Sequence, residues 1–371
     1  MTVKKGLEDV IALSSEISSI VDGVLTYRGY SIDDLVNHAT FEEVAYLLWY
    51  ERLPTSPELH ALKEKLHEEA VLSEEIQQLL RSIPRDANPM AVMRTMVSAL
   101  SLYDPQAEDI STAASLSKAV RLTAQFPLLL ASYARLRAGH KPIPLPRNMG
   151  IARGFLYLLR GEEPPSVEVS ALDKALVLHA DHELNASTFA ARVTAGTLAD
   201  MHSAVVAALG ALKGSLHGGA NERVMAMLEE IGSPDRVGVF IEKRLERREK
   251  IMGFGHRVYR DGDPRVAYLC ALSKELSERA GDKTWYEILV AIEELMNHRK
   301  NLKANVDFYS GSVYAYLGIP RDLFTPIFAM SRMVGWTAHI LEQYADNRLI
   351  RPRAAYTGAT DNTYVSIEKR V

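Results

Sequence analysis

Apolar residues along most of this chain recur at helix spacing. Phe41, Val44, Ala45, Leu47 and Leu48 fall on one face of a 3.6-residue period, which predicts a helix over that stretch. Ser56-Pro57 and Ser233-Pro234 each offer an N-cap followed by proline at the first helical position, where the missing N–H costs nothing. Residues 187–212 are rich in alanine and free of proline, and 284–300 and 321–346 continue the helical pattern. β-Permissive runs occur only near the start, at 17–20 and 24–27, flanking Asp22-Gly23, a hairpin turn signal. The expected fold is all-α with one small N-terminal β-hairpin.

Two stretches interrupt the helical pattern, the glycine-bearing Lys213 to Gly219 and a second at 311–320. Read as hinges, they divide the chain into a large helical domain beginning at 1–218, a smaller inserted helical domain at 219–317, and the rest of the large domain with a C-terminal arm at 318–371. The length of 371 residues, beyond the ~100–200 of a typical single domain, fits that division. The longest apolar run, Ala204 to Leu212, is nine residues and too short to span a bilayer, so no membrane partner is expected.

Composition narrows the function classes. With 47% apolar and 24% charged residues the chain is an ordinary globular one. A net charge of -4 and a pI near 6.3 give no global basic field, so no nucleic-acid partner is expected and any anion site must be local and its ligand small. The single cysteine, Cys270, excludes an intramolecular disulfide, and its apolar helical setting reads as a buried structural thiol rather than a nucleophile. Acidic residues interrupt the N-terminal stretch where a secretion signal needs an apolar core, so a cytoplasmic location is expected.

The stretch from Lys250 to Arg265, KIMGFGHRVYRDGDPR, sets His256 between Gly255 and the first of three arginines. Gly253-Phe254-Gly255 is not a dinucleotide fingerprint, because its third glycine would fall at Val258 and no strand precedes it. Asp263 is expected as N-cap and Pro264 as first helical residue, which puts Arg265 in the first turn, facing the positive end of the helix dipole. An anion held between them would relieve that repulsion; an arginine turned to solvent is the other reading.

Arg332 is stranded in a segment, 324–336, that is apolar on nearly every face. The nearest acids in sequence, Asp322 and Glu342, are ten residues away on either side. A buried guanidinium needs either a distant carboxylate or a ligand anion, and two unneutralised arginines suggest a dicarboxylate. His179 and His182 share a helical face, but their spacing is not that of a zinc protease and no carboxylate ligand is identifiable, so no metal is expected. His217 adjoins Gly218-Gly219. Asp307 lies between Val306 and Phe308, an apolar setting that raises a carboxylate's pKa and makes it a better base near neutral pH. Taken singly, each of these also fits a hydrogen-bonded structural residue.

Taken together, LHADHELNAST, LHGGANE, GFGHRVYRDGDPR, NVDFYSG, FAMSRMVGW and IRPR, in that order over 178–353, closely resemble citrate synthase, as does the segment from Ser15 to Leu35. The resemblance implies a mostly helical homodimer that condenses oxaloacetate with acetyl-CoA and water to citrate and free CoA, with acetyl-CoA as cosubstrate and no prosthetic group. It implies His217, His256 and Asp307 as catalytic residues and His182, Arg265 and Arg332 as oxaloacetate ligands. Arg351 is implied to complete the site of the other subunit. Gly253, Phe254, Gly255 and Arg260 fall where the family binds CoA.

On this reading Asp307 removes a methyl proton, neutral His217 donates to the developing enolate oxygen, and His256 protonates the ketone oxygen of oxaloacetate. Closure of the small domain would exclude water until the first substrate is bound. Two departures stand out. Ala304 replaces a proline frequent before NVD, and the N-terminal extension linked to NADH inhibition in longer bacterial members is lacking, so no NADH effect is expected. The close alternative is 2-methylcitrate synthase, using propionyl-CoA and differing by room for one methyl, worth ~1–3 kcal/mol. A metal-dependent hydrolase built on His179, His182 and His217, and a non-catalytic helical protein, are the readings from other classes.

Overall fold

A computed structural model describes the chain at residues 5–7, 10–255, 259 and 262–370. Strands β1 (Ser18–Val21) and β2 (Val24–Tyr27) form the expected hairpin, with Val21 opposite Val24 across the Asp22-Gly23 turn. A two-residue β3 (Tyr30–Ser31) extends the sheet on the far side of β2, a pairing too short to leave a period in the sequence.

Helices account for nearly all remaining regular structure. The first eight are α1 (Ile32–His38), α2 (Phe41–Tyr50), α3 (Ser56–Glu69), α4 (Glu74–Ser82), α5 (Pro89–Leu100), α6 (Thr112–Arg137), α7 (Ile151–Arg160) and α8 (Ser166–His179). Then follow α9 (Ala186–Ala195), α10 (Met201–Lys213), α11 (Ala220–Ile231), α12 (Val237–Glu246), α13 (Arg265–Ala280), α14 (Thr284–Lys300), α15 (Val306–Tyr316) and α16 (Phe324–Ala345). Among the described residues no helix is long and apolar enough to cross a membrane.

Several local expectations shift. α3 is capped by Thr55 rather than Ser56, because the Glu58 carboxylate accepts from both the Thr55 N–H (2.8 Å) and its hydroxyl (2.7 Å). Ser233-Pro234 opens a 3₁₀ turn, Pro234–Arg236, that leads into α12. The alanine-rich stretch splits into α9 and α10, the second capped by Asp200, whose carboxylate accepts from the Ser203 N–H at 3.0 Å. The second interruption begins later than expected, since Gly311 lies inside α15. A Cβ there would come within 3.0 Å of the Asn221 carbonyl and of Met225, so glycine permits close packing of α15 on α11 rather than breaking the helix.

α16 is the hub. It packs against α2, α6, α8, α9 and α10, and from Phe324 to Ile340 nearly every side chain is buried, Phe328 being the half-buried exception. Trp49 of α2 donates its indole N–H to Thr337 at 2.9 Å, so this buried pair is satisfied within the core. α11 to α15 pack chiefly on one another, meeting the rest through α8 and α16.

The junction between α8 and α16 leaves no spare volume. Gly335 faces the turn after α8, where an added Cβ would overlap the Ala180 carbonyl oxygen and approach Asp181 Oδ1 to 2.5 Å. Both obstacles are buried and anchored. Gly335→Ala is therefore expected to lower unfolding free energy by about 1–3 kcal/mol, the range for overpacking a tight core, as read from urea denaturation. An unchanged midpoint would mean that this contact yields freely.

Candidate active site

The turn after α8, the loop between α10 and α11, the starts of α13 and α15, and one face of α16 enclose a cleft of about 670 Å³. Five of the predicted residues, His182, His217, Arg265, Asp307 and Arg332, line it together with Gly255. Arg351 does not. It lies in the exposed C-terminal arm, beside a groove shared with Leu7 and residues 10–16. His256 and Arg260 fall outside the described residues.

Arg265 corrects the expected geometry. α13 begins at Arg265, Pro264 is its cap position, and the guanidinium is not unneutralised but bound edge-on by Asp263. Asp263 Oδ1 accepts from the Arg265 N–H (3.1 Å) and Nε (2.9 Å), and Oδ2 accepts from Nη2 (2.7 Å) and from the Val306 N–H (3.1 Å). Burial works against the charge, yet Asp263 outweighs it and holds Arg265 above the usual range. One guanidinium edge is used. Nη1 makes no hydrogen bond to a described residue, so a donor remains for a ligand on the cleft wall.

Arg332 is the unneutralised one. Its Nε donates to the His179 carbonyl at 2.7 Å and its cationic carbon lies 4.8 Å from the centroid of Phe328. No carboxylate pairs with it among the described residues, and burial lowers its pKa to about 10, against the field of Asp181. It stays cationic at neutral pH. His179, buried edge-on to Phe328 at 4.9 Å with Nδ1 2.6 Å from the Ala175 carbonyl, is a packing residue, and burial depresses it to about 3.

His182 is not on one helical face with His179, because α8 ends at His179 and His182 belongs to the following turn. Its Nε2 lies 3.1 Å from the Tyr259 hydroxyl, and the two rings meet edge-to-face. No group of three or more metal-ligating side chains exists among the described residues.

His217 sits in the α10–α11 loop with Nε2 against the start of α9. The Ser187 N–H donates to Nε2 at 3.3 Å, and the Ser187 hydroxyl lies 2.8 Å away. That N–H is shared with Asn185 Oδ1 at 3.1 Å; its share in the ring contact suits Nε2 as acceptor with the proton on Nδ1. Ser187 is held by Asn185, which accepts from its hydroxyl at 2.7 Å, and by the indole N–H of Trp336 at 3.2 Å. Burial, helped by the Arg332 charge, lowers His217 to about 4, so the ring is neutral at physiological pH.

Asp307 is the second residue of α15, its N–H donating to the Asn305 side chain at 3.1 Å. Burial raises it to about 6; the Arg265, Arg223 and Arg332 charges pull it down and Asp263 pushes it up. Gly253 and Phe254 lie behind this residue. Phe254 packs on Phe308 with ring centroids 4.7 Å apart, and Gly253, at φ 82, leaves no room for a Cβ against Phe308. Gly253 thus serves the helix start that carries Asp307. Cys270 is half-buried on α13, and burial raises its thiol.

Sequence reading missed three members of this constellation. Ser187 looks like an ordinary residue of an alanine-rich helix, although its position directly after Asn185-Ala186 marks a helix start. Asp263 was legible only as a cap. Tyr259 carried no signal of its own.

The family model for the citrate synthase C-terminal domain matches residues 6–353. Citrate synthase 2 of Bacillus subtilis is 54% identical over 371 residues, covering 100% of both chains. A 2-methylcitrate synthase of Shewanella oneidensis is 44% identical over 93% of this chain and 92% of its own. Among solved structures, a ternary complex of carboxymethyl coenzyme A and oxaloacetate with citrate synthase from Thermoplasma acidophilum superposes with a TM-score of 0.94 at 33% identity, covering 100% of each chain.

The environment of His217 makes a prediction. In ¹⁵N-histidine NMR spectra this ring should stay neutral, with its proton on Nδ1, from pH 8 down to about 5, and titrate near 4. A midpoint near the ordinary 6.5 would refute the assigned environment.

Proposed function

The chain belongs to the citrate synthase family, and from that membership and the contents of the cleft we propose that it condenses acetyl-CoA with oxaloacetate and water to give citrate and CoA. The observation that carries this reading is one cavity holding an uncompensated guanidinium, a second with a spare edge, a neutral imidazole and a carboxylate raised to about 6. Each matches a step of the reaction.

Arg332 and the open edge of Arg265 grip the carboxylates of oxaloacetate, with His182 beside them and Arg351 of the partner subunit completing the grip. Asp307 takes a proton from the methyl group of acetyl-CoA. The negative charge moves to the thioester oxygen, where the Nδ1–H of His217 meets it as a neutral donor. The nucleophilic carbon attacks the ketone, His256 supplies a proton to the ketone oxygen, and water then cleaves the citryl thioester. Gly253, Phe254, Gly255 and Arg260 are assigned to CoA binding. Residues 219–317 act as a smaller domain that closes over the bound substrates.

The homodimer in this reading is supported by the C-terminal arm, where Tyr356, Tyr364 and Ile367 stand largely in solvent in the single chain. A cytoplasmic location fits the same reading. A 2-methylcitrate synthase activity is the second reading, favoured by the relatives that bear that name. Relative kcat/KM for acetyl-CoA and propionyl-CoA decides between them.

Release of free thiol from acetyl-CoA should depend strictly on oxaloacetate; release without it, or none with it, overturns the proposal. Because Asp307 must be ionised to act, kcat/KM should fall on the acid side with an apparent pKa near 6. Asp307→Asn should lower kcat by roughly 10²–10⁴-fold while oxaloacetate affinity changes little. Normal turnover in that variant would remove Asp307 from the role of base. Mixing inactive Arg351→Ala and Asp307→Asn homodimers under subunit exchange should restore activity, since the mixed dimer holds one complete site. No recovery after verified exchange would exclude the shared site.

A further inference from the structure

The N-terminal hairpin reaches one distant part of the fold with its polar groups, the turn that carries His182. Tyr27, the last residue of β2, is fully buried, and its hydroxyl enters the end of α8. That hydroxyl donates toward the carbonyls of Asp181 (2.9 Å) and Val177 (3.2 Å), and accepts from the Asp181 N–H at 3.2 Å. A helix end leaves carbonyls without partners, and a single phenol closes this one from the sheet side.

Ser18, the first residue of β1, completes the grip. Its hydroxyl donates to Asp181 Oδ2 at 2.5 Å and accepts from the Glu183 N–H at 2.8 Å, so it bridges the two neighbours of His182. The Ile20 N–H donates to Glu183 Oε1 at 3.1 Å. Glu183 needs holding, because its φ of 46 is a left-handed conformation unfavourable for a residue with a side chain. From the opposite side α16 meets the same turn, through Arg332 on the His179 carbonyl and His339 Nε2 at 3.2 Å from Asp181 Oδ2. His182 thus stands on a turn clamped between the sheet and α16.

We propose that the N-terminal sheet belongs to the substrate-recognition machinery, with Tyr27 and Ser18 as positioning residues that hold residues 180–185 so that His182 faces the diacid. The proposal rests on the reading that oxaloacetate binds beside His182. Neither residue touches the substrate. Losing either loosens the turn and spreads His182 over several orientations, which weakens oxaloacetate binding more than it slows the chemistry once both substrates are bound.

Tyr27→Phe and Ser18→Ala separate this role from simple stabilisation. In both variants KM for oxaloacetate should rise roughly tenfold, the size of one lost buried hydrogen bond, with KM for acetyl-CoA little changed and kcat lowered less than KM is raised. Amide hydrogen exchange across 180–185 should quicken while the core of α16 keeps its protection. Tyr133→Phe is the control, since Tyr133 is also a buried tyrosine whose hydroxyl donates to loop carbonyls, Pro84 at 3.0 Å and Ala87 at 2.8 Å, far from the cleft. It should lower the melting temperature and leave KM for oxaloacetate alone.

The inference falls if KM for oxaloacetate in Tyr27→Phe stays within twofold of the parent, if Tyr133→Phe raises it equally, or if exchange across 180–185 is unchanged. The exchange readout needs no turnover. A parent protein without oxaloacetate-dependent thiol release would instead sink the proposed function, and the two failures are distinguishable.

Discussion

Keeping a positive charge inside an apolar helix bundle is the constraint on which this molecule is built. Arg332 sits on α16, the helix that touches more of the fold than any other, and it has no carboxylate of its own among the described residues. Placing such a charge in a core costs several kcal/mol, and it is tolerated here through one carbonyl, one aromatic face and the diffuse field of Asp181. The rest of the site responds to that charge. It helps keep His217 neutral and draws Asp307 downward against the larger effect of burial. A dianion would meet a cavity already short of negative charge.

The second arginine shows the opposite solution. Arg265 is matched by Asp263, and the same carboxylate receives the first N–H of α15, so substrate contact and base stand on two helices joined through one side chain. That carboxylate also raises Asp307. Recognition and proton removal are therefore electrostatically linked before any ligand arrives. In the citrate synthase reading, the pull of the guanidiniums would be partly cancelled once the carboxylates of oxaloacetate bind, leaving Asp307 more basic at the moment it must take up a proton.

Much of the fold and of the cleft could be read from the chain itself. The hairpin was legible because Asp-Gly between two β-permissive runs has few other uses, and α14 because its period and ends are unambiguous. Arg332 was legible as a charge out of place, and Asp307 as a carboxylate between apolar neighbours. The misreadings share a physical cause. Gly311 looked like a hinge because sequence cannot show that another helix presses on it. Asp263 looked like a cap because its second and third partners, the Arg265 side chain and the Val306 N–H, are set by tertiary structure. Ser187 was invisible because its partner is thirty residues away. Local signals reported local geometry well and said little about where buried polar groups find their mates.

The sheet and the turn it clasps lie far apart along the chain, with Ser18 and Asp181 separated by 163 positions. During synthesis at roughly 5–20 residues per second, the hairpin leaves the ribosome on the order of 10–30 s before its docking surface exists. For that interval the Tyr27 hydroxyl, buried in the finished protein against the end of α8, lacks that partner. A nascent chain of this kind keeps the buried side of its hairpin incomplete until α8 is made, which makes that segment a natural target for chaperones.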